Sequence, residues 1–181
     1  MEKMTTLETD RLILREWKLS DSADQYDYGK SELVGPSAGW KPQKSEDESI
    51  EIIKMFLRDG DVLAVELKAE KKVIGSIGLH KRTPDENQKL LYQREIGYVL
   101  NPEYWGNGYI PEAVNRVLKF GFEEMGLDII WCGHFEDNIK SKRVNEKCGF
   151  NFKFIKERTL DKLDNKKVNT WYYNIYRNDY L

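Results

Sequence analysis

The chain has 181 residues, 40% of them apolar and 12% aromatic, which is enough to bury one sizeable core and lies within the usual span of a single domain. Its 29 basic and 31 acidic residues leave a net charge of −2, so no broad field draws it onto nucleic acid or an anionic membrane, and a small neutral or weakly cationic partner suits it better. Apolar runs such as Ile129 to Cys132 are too short to cross a bilayer, and the N-terminal Met-Glu-Lys-Met-Thr-Thr lacks the apolar stretch of a signal peptide. Cys132 and Cys148 are too few for a disulfide framework and stand outside any metal-ligand spacing. The expectation is one cytoplasmic domain over residues 1–181, with two reduced thiols and no metal, no nucleic-acid partner and no membrane partner.

In chain order, Arg11 to Trp17 alternates as a short strand, and Ser20 with Asp21 opens a polar helix running to about Tyr28. Gly35, Pro36, Gly39 and Pro42 mark residues 33–42, around Trp40, as a loop. Ser45 caps a helix whose Ile50, Ile53, Met55, Phe56 and Leu57 cluster on one side and which stops at Asp59-Gly60. Val62 to Lys68 and Lys72 to Lys81 form a hairpin, and a polar stretch from Thr83 to Lys89 leads to a strand at Tyr92 to Leu100. On that strand Ile96, Tyr98 and Leu100 share one face and Glu95, Gly97 and Val99 the other. Val114, Val117, Leu118, Gly121 and Met125 then trace one stripe of a helix with Pro111 in its first turn. Asp128 to Phe135 is a strand and Asn138 to Lys147 a short helix, and two closing strands are joined by a turn at Asp161 to Lys167. The strand-helix-strand unit in the middle implies a mixed α/β sheet with helices on both faces.

Two segments carry chemistry. Trp105-Gly106-Asn107-Gly108-Tyr109-Ile110 sits between a strand and a helix, so its backbone N–H groups and the positive helix terminus converge on one point that suits an anion. A turn that merely starts a helix is the bland reading of Gly-x-Gly, and the strand-to-helix position argues against it. A mononucleotide P-loop is excluded because no Gly-Lys-Ser or Gly-Lys-Thr occurs, and the third glycine of a dinucleotide fingerprint is replaced by Pro111. In the second segment, Asn138, Ser141, Asn145 and Cys148 stand three, four and three apart, on one helical face that can line a groove.

With the opening Leu7-Glu8-Thr9-Asp10-Arg11-Leu12-Ile13-Leu14-Arg15, the turn Tyr104-Trp105-Gly106-Asn107-Gly108-Tyr109 with Glu112-Ala113, and the close Asn138-x-x-Ser141-x-Arg143-Val144-x-Glu146-Lys147-x-Gly149-Phe150, the chain resembles the GNAT superfamily of N-acetyltransferases. It is similar to the ribosomal-protein-alanine, or Rim-type, N-terminal acetyltransferase branch. The resemblance implies a GNAT fold: about seven strands, mostly antiparallel, splayed between the fourth and fifth, with helices on both faces. It implies acetyl-CoA as cosubstrate, its pyrophosphate on the amides of Gly106, Asn107, Gly108, Tyr109 and Ile110, and its pantetheine arm alongside the backbone of Val99 and Leu100. Asn138 and Ser141 match residues that contact the pantetheine and the thioester sulfur; the alternative is a helix cap and a small packing residue. Arg143, with Lys140 and Lys142, either meets the 3′-phosphate or is simply solvated. The family pattern departs in two places: Ile110-Pro111 replaces a small residue and removes a donor, and Asn145 stands where many relatives carry a Tyr general acid.

Acetyl transfer needs a neutral amine. An α-amine with pKa about 7.7–8.0 costs roughly 1 kcal/mol to deprotonate at neutral pH, against roughly 4–5 kcal/mol for a lysine near 10.4, so a terminal amine asks little of a base. Glu95, on the central strand, is the candidate base, with an ion pair as its alternative role, and Ser141 the candidate proton source for sulfur. Trp40 and Tyr98 are candidate acceptor contacts, with core packing as the alternative, and Trp105 is read in the same way. His80 and His134, near strand ends, read first as edge-strand surface residues, with a titrating side chain reaching an active-site cleft as the alternative. The expected activity is acetyl transfer to a primary amine, a protein N-terminus or a small molecule, by direct attack in a ternary complex in a monomer or homodimer. A non-catalytic acyl-CoA sensor of the same fold is the alternative, and a nucleotide-binding domain unrelated to coenzyme A ranks below both.

Overall fold

The computed structural model describes residues 3–180. One eight-stranded sheet runs through the molecule in the order β1-β2-β3-β4-β5-β6-β8-β7. Its strands are β1 (Leu7–Glu8), β2 (Leu12–Arg15), β3 (Val62–Leu67), β4 (Lys72–His80), β5 (Gln93–Leu100), β6 (Ile129–Phe135), β7 (Asn151–Leu160) and β8 (Lys166–Tyr176). Every neighbouring pair is antiparallel except β5 and β6. The seven strands expected from sequence are all present. The eighth is the two-residue β1, too short to show a period, which pairs Leu7 with Leu14.

The helices are α1 (Ser22–Gly29), α2 (Gly35–Ala38), α3 (Glu46–Asp59), α4 (Tyr109–Lys119), α5 (Ile139–Lys147) and α6 (Arg177–Tyr180). α2 is a single turn inside the segment expected to be loop, ending at Gly39 with φ 94°. α3 begins and ends where its sequence says: the Ser45 hydroxyl accepts from the Glu48 N–H, and Gly60 closes the helix at φ 69°. The stripe of α4 buries Ile110, Ala113, Val114, Val117 and Leu118, and a wider turn at Phe120–Glu124 follows it. Gly121 lies there against β6; a Cβ at this position would stand 2.6 Å from Ile130 Cδ1, so any larger residue would push the Ile130 side chain aside.

Each face of the sheet has its own cover. α4 and α5 pack over Leu12, Leu14, Ile77, Leu79, Ile96, Ile130 and Tyr173, while on the other face Trp17, Tyr28, Val34 and Ile53 bury Ala64 and Val73 beneath α1 and α3. Arg15 ties β2 to β3 and to the start of α1: its guanidinium meets both Asp21 oxygens at 2.9 Å and Glu66 Oε2 at 2.6 Å, and these bonds hold it firmly protonated.

The feature that shapes the cleft is a break in pairing. β5 and β6 run side by side from Gln93 and Ile129 only as far as Ile96 and Cys132. Beyond that point β5 follows β4, with Gly97, Tyr98, Val99 and Leu100 opposite Gly78, Ile77, Ser76 and Gly75, while β6 follows β8. The twist of each half carries the strands apart, and the sheet splays open between the strands expected from the sequence.

Candidate functional site

A cleft of about 1410 Å³ fills the splay and continues onto both faces of the sheet. Its backbone offers hydrogen bonds on one side. Asn101 N–H donates to the Ile74 carbonyl at 2.7 Å, so in the antiparallel alternation Val99 also turns its N–H and C=O to β4, whereas Tyr98 and Leu100 turn theirs toward the opening. Val99, expected to offer its backbone to a ligand, is therefore engaged within the sheet, and Tyr98 takes that place beside Leu100. The Leu100 carbonyl already accepts from the Trp105 indole at 3.0 Å, which leaves the Tyr98 and Leu100 N–H groups as the donors of the open edge.

The second donor group lies at the mouth. Gly106 and Gly108 adopt φ 79° and 77°, and Gly108 starts α4. Among the described residues the N–H groups of Gly106, Asn107, Gly108, Tyr109 and Ile110 donate to no acceptor, as the first amides of a helix must unless a ligand or cap intervenes. A Cβ on Gly106 would meet nothing within 4 Å, so this backbone faces open space. The Ile110 side chain is buried in the core, and Pro111 falls in the first turn, where its missing N–H breaks no helical bond.

The N-terminal segment clamps this turn. The Arg11 guanidinium donates to Glu112 Oε2 at 2.7 Å and to the Asn107 carbonyl at 3.0 Å, and stacks 4.4 Å above the Tyr109 ring. The Thr9 hydroxyl and the Arg11 N–H reach Glu112 Oε1 at 2.6 and 3.0 Å. The sequence flagged both ends of this clamp as family-like wording without signalling that they touch.

Asn138 caps α5 by accepting from the Ser141 N–H at 3.2 Å. Asn138, Ser141 and Arg143 line the cleft; Arg143 is exposed, and Lys140 lies 3.7 Å over the Trp105 ring across the mouth. Asn145, in contrast, is fully buried away from the groove with neither amide atom paired, and the Cys148 thiol lies 3.9 Å from the Pro111 carbonyl. One helical face thus divides into a cleft-lining start and a buried end as α5 leans onto α4. Tyr98 also differs from expectation: the alternation puts its ring with Ile96 on the α4 and α5 side, opposite the side where Trp40 packs. Its buried hydroxyl lies beside Ser141 and Cys132 without a hydrogen bond of good geometry, and burial holds its pKa far above the ordinary value. Burial raises both thiols too, Cys148 to about 11 and Cys132 higher still.

The other side of the cleft holds the titratable groups. Glu95 is 7% exposed; burial raises its pKa, opposed by the fields of Arg82, Arg158 and His80. His80 is its partner on β4, with Nδ1 2.9 Å from Asp61 Oδ2, and a Cβ on Gly97 would lie 3.2 Å from its Nε2. The hydrogen bond from His80 in turn lowers the Asp61 pKa. Neither histidine is on an edge strand. His134 lies back on the α5 side, 4% exposed, with Nδ1 2.7 Å from the Phe135 carbonyl and Nε2 3.3 Å from the Tyr173 hydroxyl, and burial lowers its pKa. Trp40 lines the cleft and packs against Gly35. Asp61, Arg82 and Arg158 went unnoticed in the sequence because each is single and meets Glu95 or His80 only through strand pairing. Among the described residues no three His, Cys, Asp or Glu side chains converge as a metal site, and no helix is long and apolar enough to cross a membrane.

The comparisons with known proteins agree with this geometry. The family model described as the acetyltransferase (GNAT) domain matches residues 11–151. The uncharacterized N-acetyltransferase YoaA of Bacillus subtilis is 32% identical over 149 residues, 80% of this chain and 81% of that protein. The crystal structure of a GNAT-family acetyltransferase from Bacillus anthracis superposes with TM-score 0.83 at 25% identity, covering 96% of this chain and 99% of that one. The fold is shared as well with the ribosomal-protein-S5-alanine acetyltransferase of Vibrio fischeri, at TM-score 0.71 and 20% identity over 98% of this chain and 100% of that one. The resemblance read from the three motifs and the splayed sheet therefore has the same answer as the family match: the chain belongs to the GNAT family of acetyltransferases.

Proposed function

We propose that the protein transfers the acetyl group of acetyl-CoA to a primary amine by direct attack in a ternary complex. The observation that carries this reading is the splay itself: two unpaired amides on β5, five unpaired amides at the head of α4, and a buried carboxylate across the cleft. The donor set fits the coenzyme. The amides of residues 106–110 suit a pyrophosphate, the Leu100 N–H suits an amide-bearing arm and the Tyr98 N–H the acyl carbonyl, and Arg143 and Lys140 offer cations at the mouth. When bound, acetyl-CoA supplies an activated acyl carbon.

This chain's residues do the rest. Glu95, whose hold on a proton is strengthened by burial, takes one from the amine as nitrogen bonds the acetyl carbon. The Tyr98 N–H stabilises charge on the carbonyl oxygen. As the carbon–sulfur bond breaks, the Ser141 hydroxyl donates a hydrogen bond to the departing thiolate, which then takes its proton from water in the open cleft. Both thiols are too weakly acidic to be covalent relays at neutral pH, which supports direct transfer. Trp40 borders the acceptor side, and the acceptor is a protein N-terminal or small-molecule amine. The test is release of free coenzyme A from acetyl-CoA across peptides with free N-termini, polyamines, aminoglycosides and amino acids. Turnover on one class is expected; silence on all of them, with acetyl-CoA still raising the melting temperature, would leave a sensor in place of an enzyme.

A further inference from the structure

The acceptor side of the cleft holds a guanidinium group that the proposed proton transfer does not use. Arg82 Nη1 lies 3.8 Å from Glu95 Oε2, and Arg158, half-buried on β7, lines the same cleft. Arg158 donates to the Tyr172 hydroxyl at 3.3 Å and, among the described residues, makes no ion pair. Tyr172 feels the charges of Glu95, Arg158 and Arg82 together, so these four groups crowd one end of the cleft, with His80 beside them. The Thr170 hydroxyl, 2% exposed, lines the same wall with no hydrogen-bond partner.

Two guanidinium groups and two carboxylates, Glu95 and Asp61, meet at this end; Asp61 is held by His80 and Glu95 by Arg82, which leaves the Arg158 guanidinium without a carboxylate partner among the described residues. The field of the two guanidinium groups favours the ionised carboxylate and so works against Glu95 as a base. Guanidinium groups present paired N–H donors that match a carboxylate's two oxygens. A polyamine would instead bring further positive charge against them.

We propose, resting on the acetyltransferase reading above, that the acceptor is an amine bearing its own carboxylate, an amino acid or a close derivative, with that carboxylate held by Arg82 and Arg158 and the Thr170 hydroxyl. The amine then lies between this fork and the splay, within reach of Glu95. Selection is by charge: a free carboxylate is accepted and its neutral carboxamide is not.

The test takes a panel of α-amino acids, each paired with its carboxamide, together with spermidine. Binding to the coenzyme A-saturated protein is measured by calorimetry, and acetyl transfer is measured in parallel. The free acid is expected to exceed its carboxamide by about tenfold or more in both readouts, and Arg158→Gln and Arg82→Gln each to shrink that ratio toward one while coenzyme affinity stays unchanged. Both arginines are partly exposed, so the two variants are checked for unaltered thermal unfolding. Equal or better use of carboxamides or spermidine by the wild type, a ratio that survives both substitutions, or absence of binding by every compound would overturn the proposal. Transfer to polyamines alone would overturn it and keep the acetyltransferase; binding that discriminates without transfer to any amine would do the reverse.

Discussion

Removing the Arg11 side chain tests whether the clamp on the α4 head serves the coenzyme. Arg11→Ala deletes an ion pair to Glu112, a hydrogen bond to the Asn107 carbonyl and a stacking contact on Tyr109, while Thr9 and the Arg11 N–H still hold Glu112 Oε1. The pair is partly exposed, at 44% and 21%, and such a pair is worth about 0.5 kcal/mol. The hydrogen bond adds about 1 kcal/mol and the stacking about 0.5 kcal/mol, together about 2 kcal/mol. The lost cation also leaves Glu112 uncompensated in the first turn of α4, where the pyrophosphate is expected. If the whole effect falls on the ordering of residues 106–110, the KM for acetyl-CoA rises roughly thirtyfold, since each 1.4 kcal/mol is tenfold, while the KM for the acceptor stays level. Arg11→Lys, which keeps a point charge without the fork, should recover part of the loss. Steady-state kinetics in both substrates and calorimetry with coenzyme A give the readout. A lower melting temperature with unchanged coenzyme affinity would refute the reasoning, because the clamp would then merely brace the fold.

Glu95→Gln should lower kcat by about a hundredfold, the low end for a general base because an α-amine needs little help. It should also stabilise the protein. The folded carboxyl titrates above its ordinary 4.5, so ionisation costs stability as pH rises past that value; the gain in melting temperature should be absent near pH 4.5 and grow until the folded group is ionised, while wild-type turnover climbs over the same interval. Trp40→Ala should raise the KM for the acceptor and leave coenzyme binding unchanged, as separate titrations of the two ligands would show. Arg15→Ala strands Asp21 and Glu66 as nearly buried, unpaired carboxylates and should cost about 3–5 kcal/mol in denaturant unfolding.

The sequence made the elements with strong local signals legible. Ser45 and Gly60 bracket α3, the alternation along β5 assigns its two faces, and the glycines at 106 and 108 mark the turn into α4. Interactions that join distant segments were not legible. Arg11 and Glu112 are about a hundred residues apart, and Arg158 reaches Glu95 across strands whose order no local pattern reveals. The same limit explains the histidines: a position near a strand end resembles an edge until the sheet order sets β4 and β6 in its interior. Asn145 shares a helical stripe with Ser141, but the tilt of α5 decides which end of the stripe meets the cleft.

The account rests on the unpaired edge of β5 receiving the coenzyme. Amide hydrogen exchange at Tyr98 and Leu100, followed with and without acetyl-CoA, tests this directly. Slowed exchange at both amides on adding acetyl-CoA, together with slowing at residues 106–110, is the predicted result. Unchanged exchange at Tyr98 and Leu100 under conditions where acetyl-CoA demonstrably binds would contradict it.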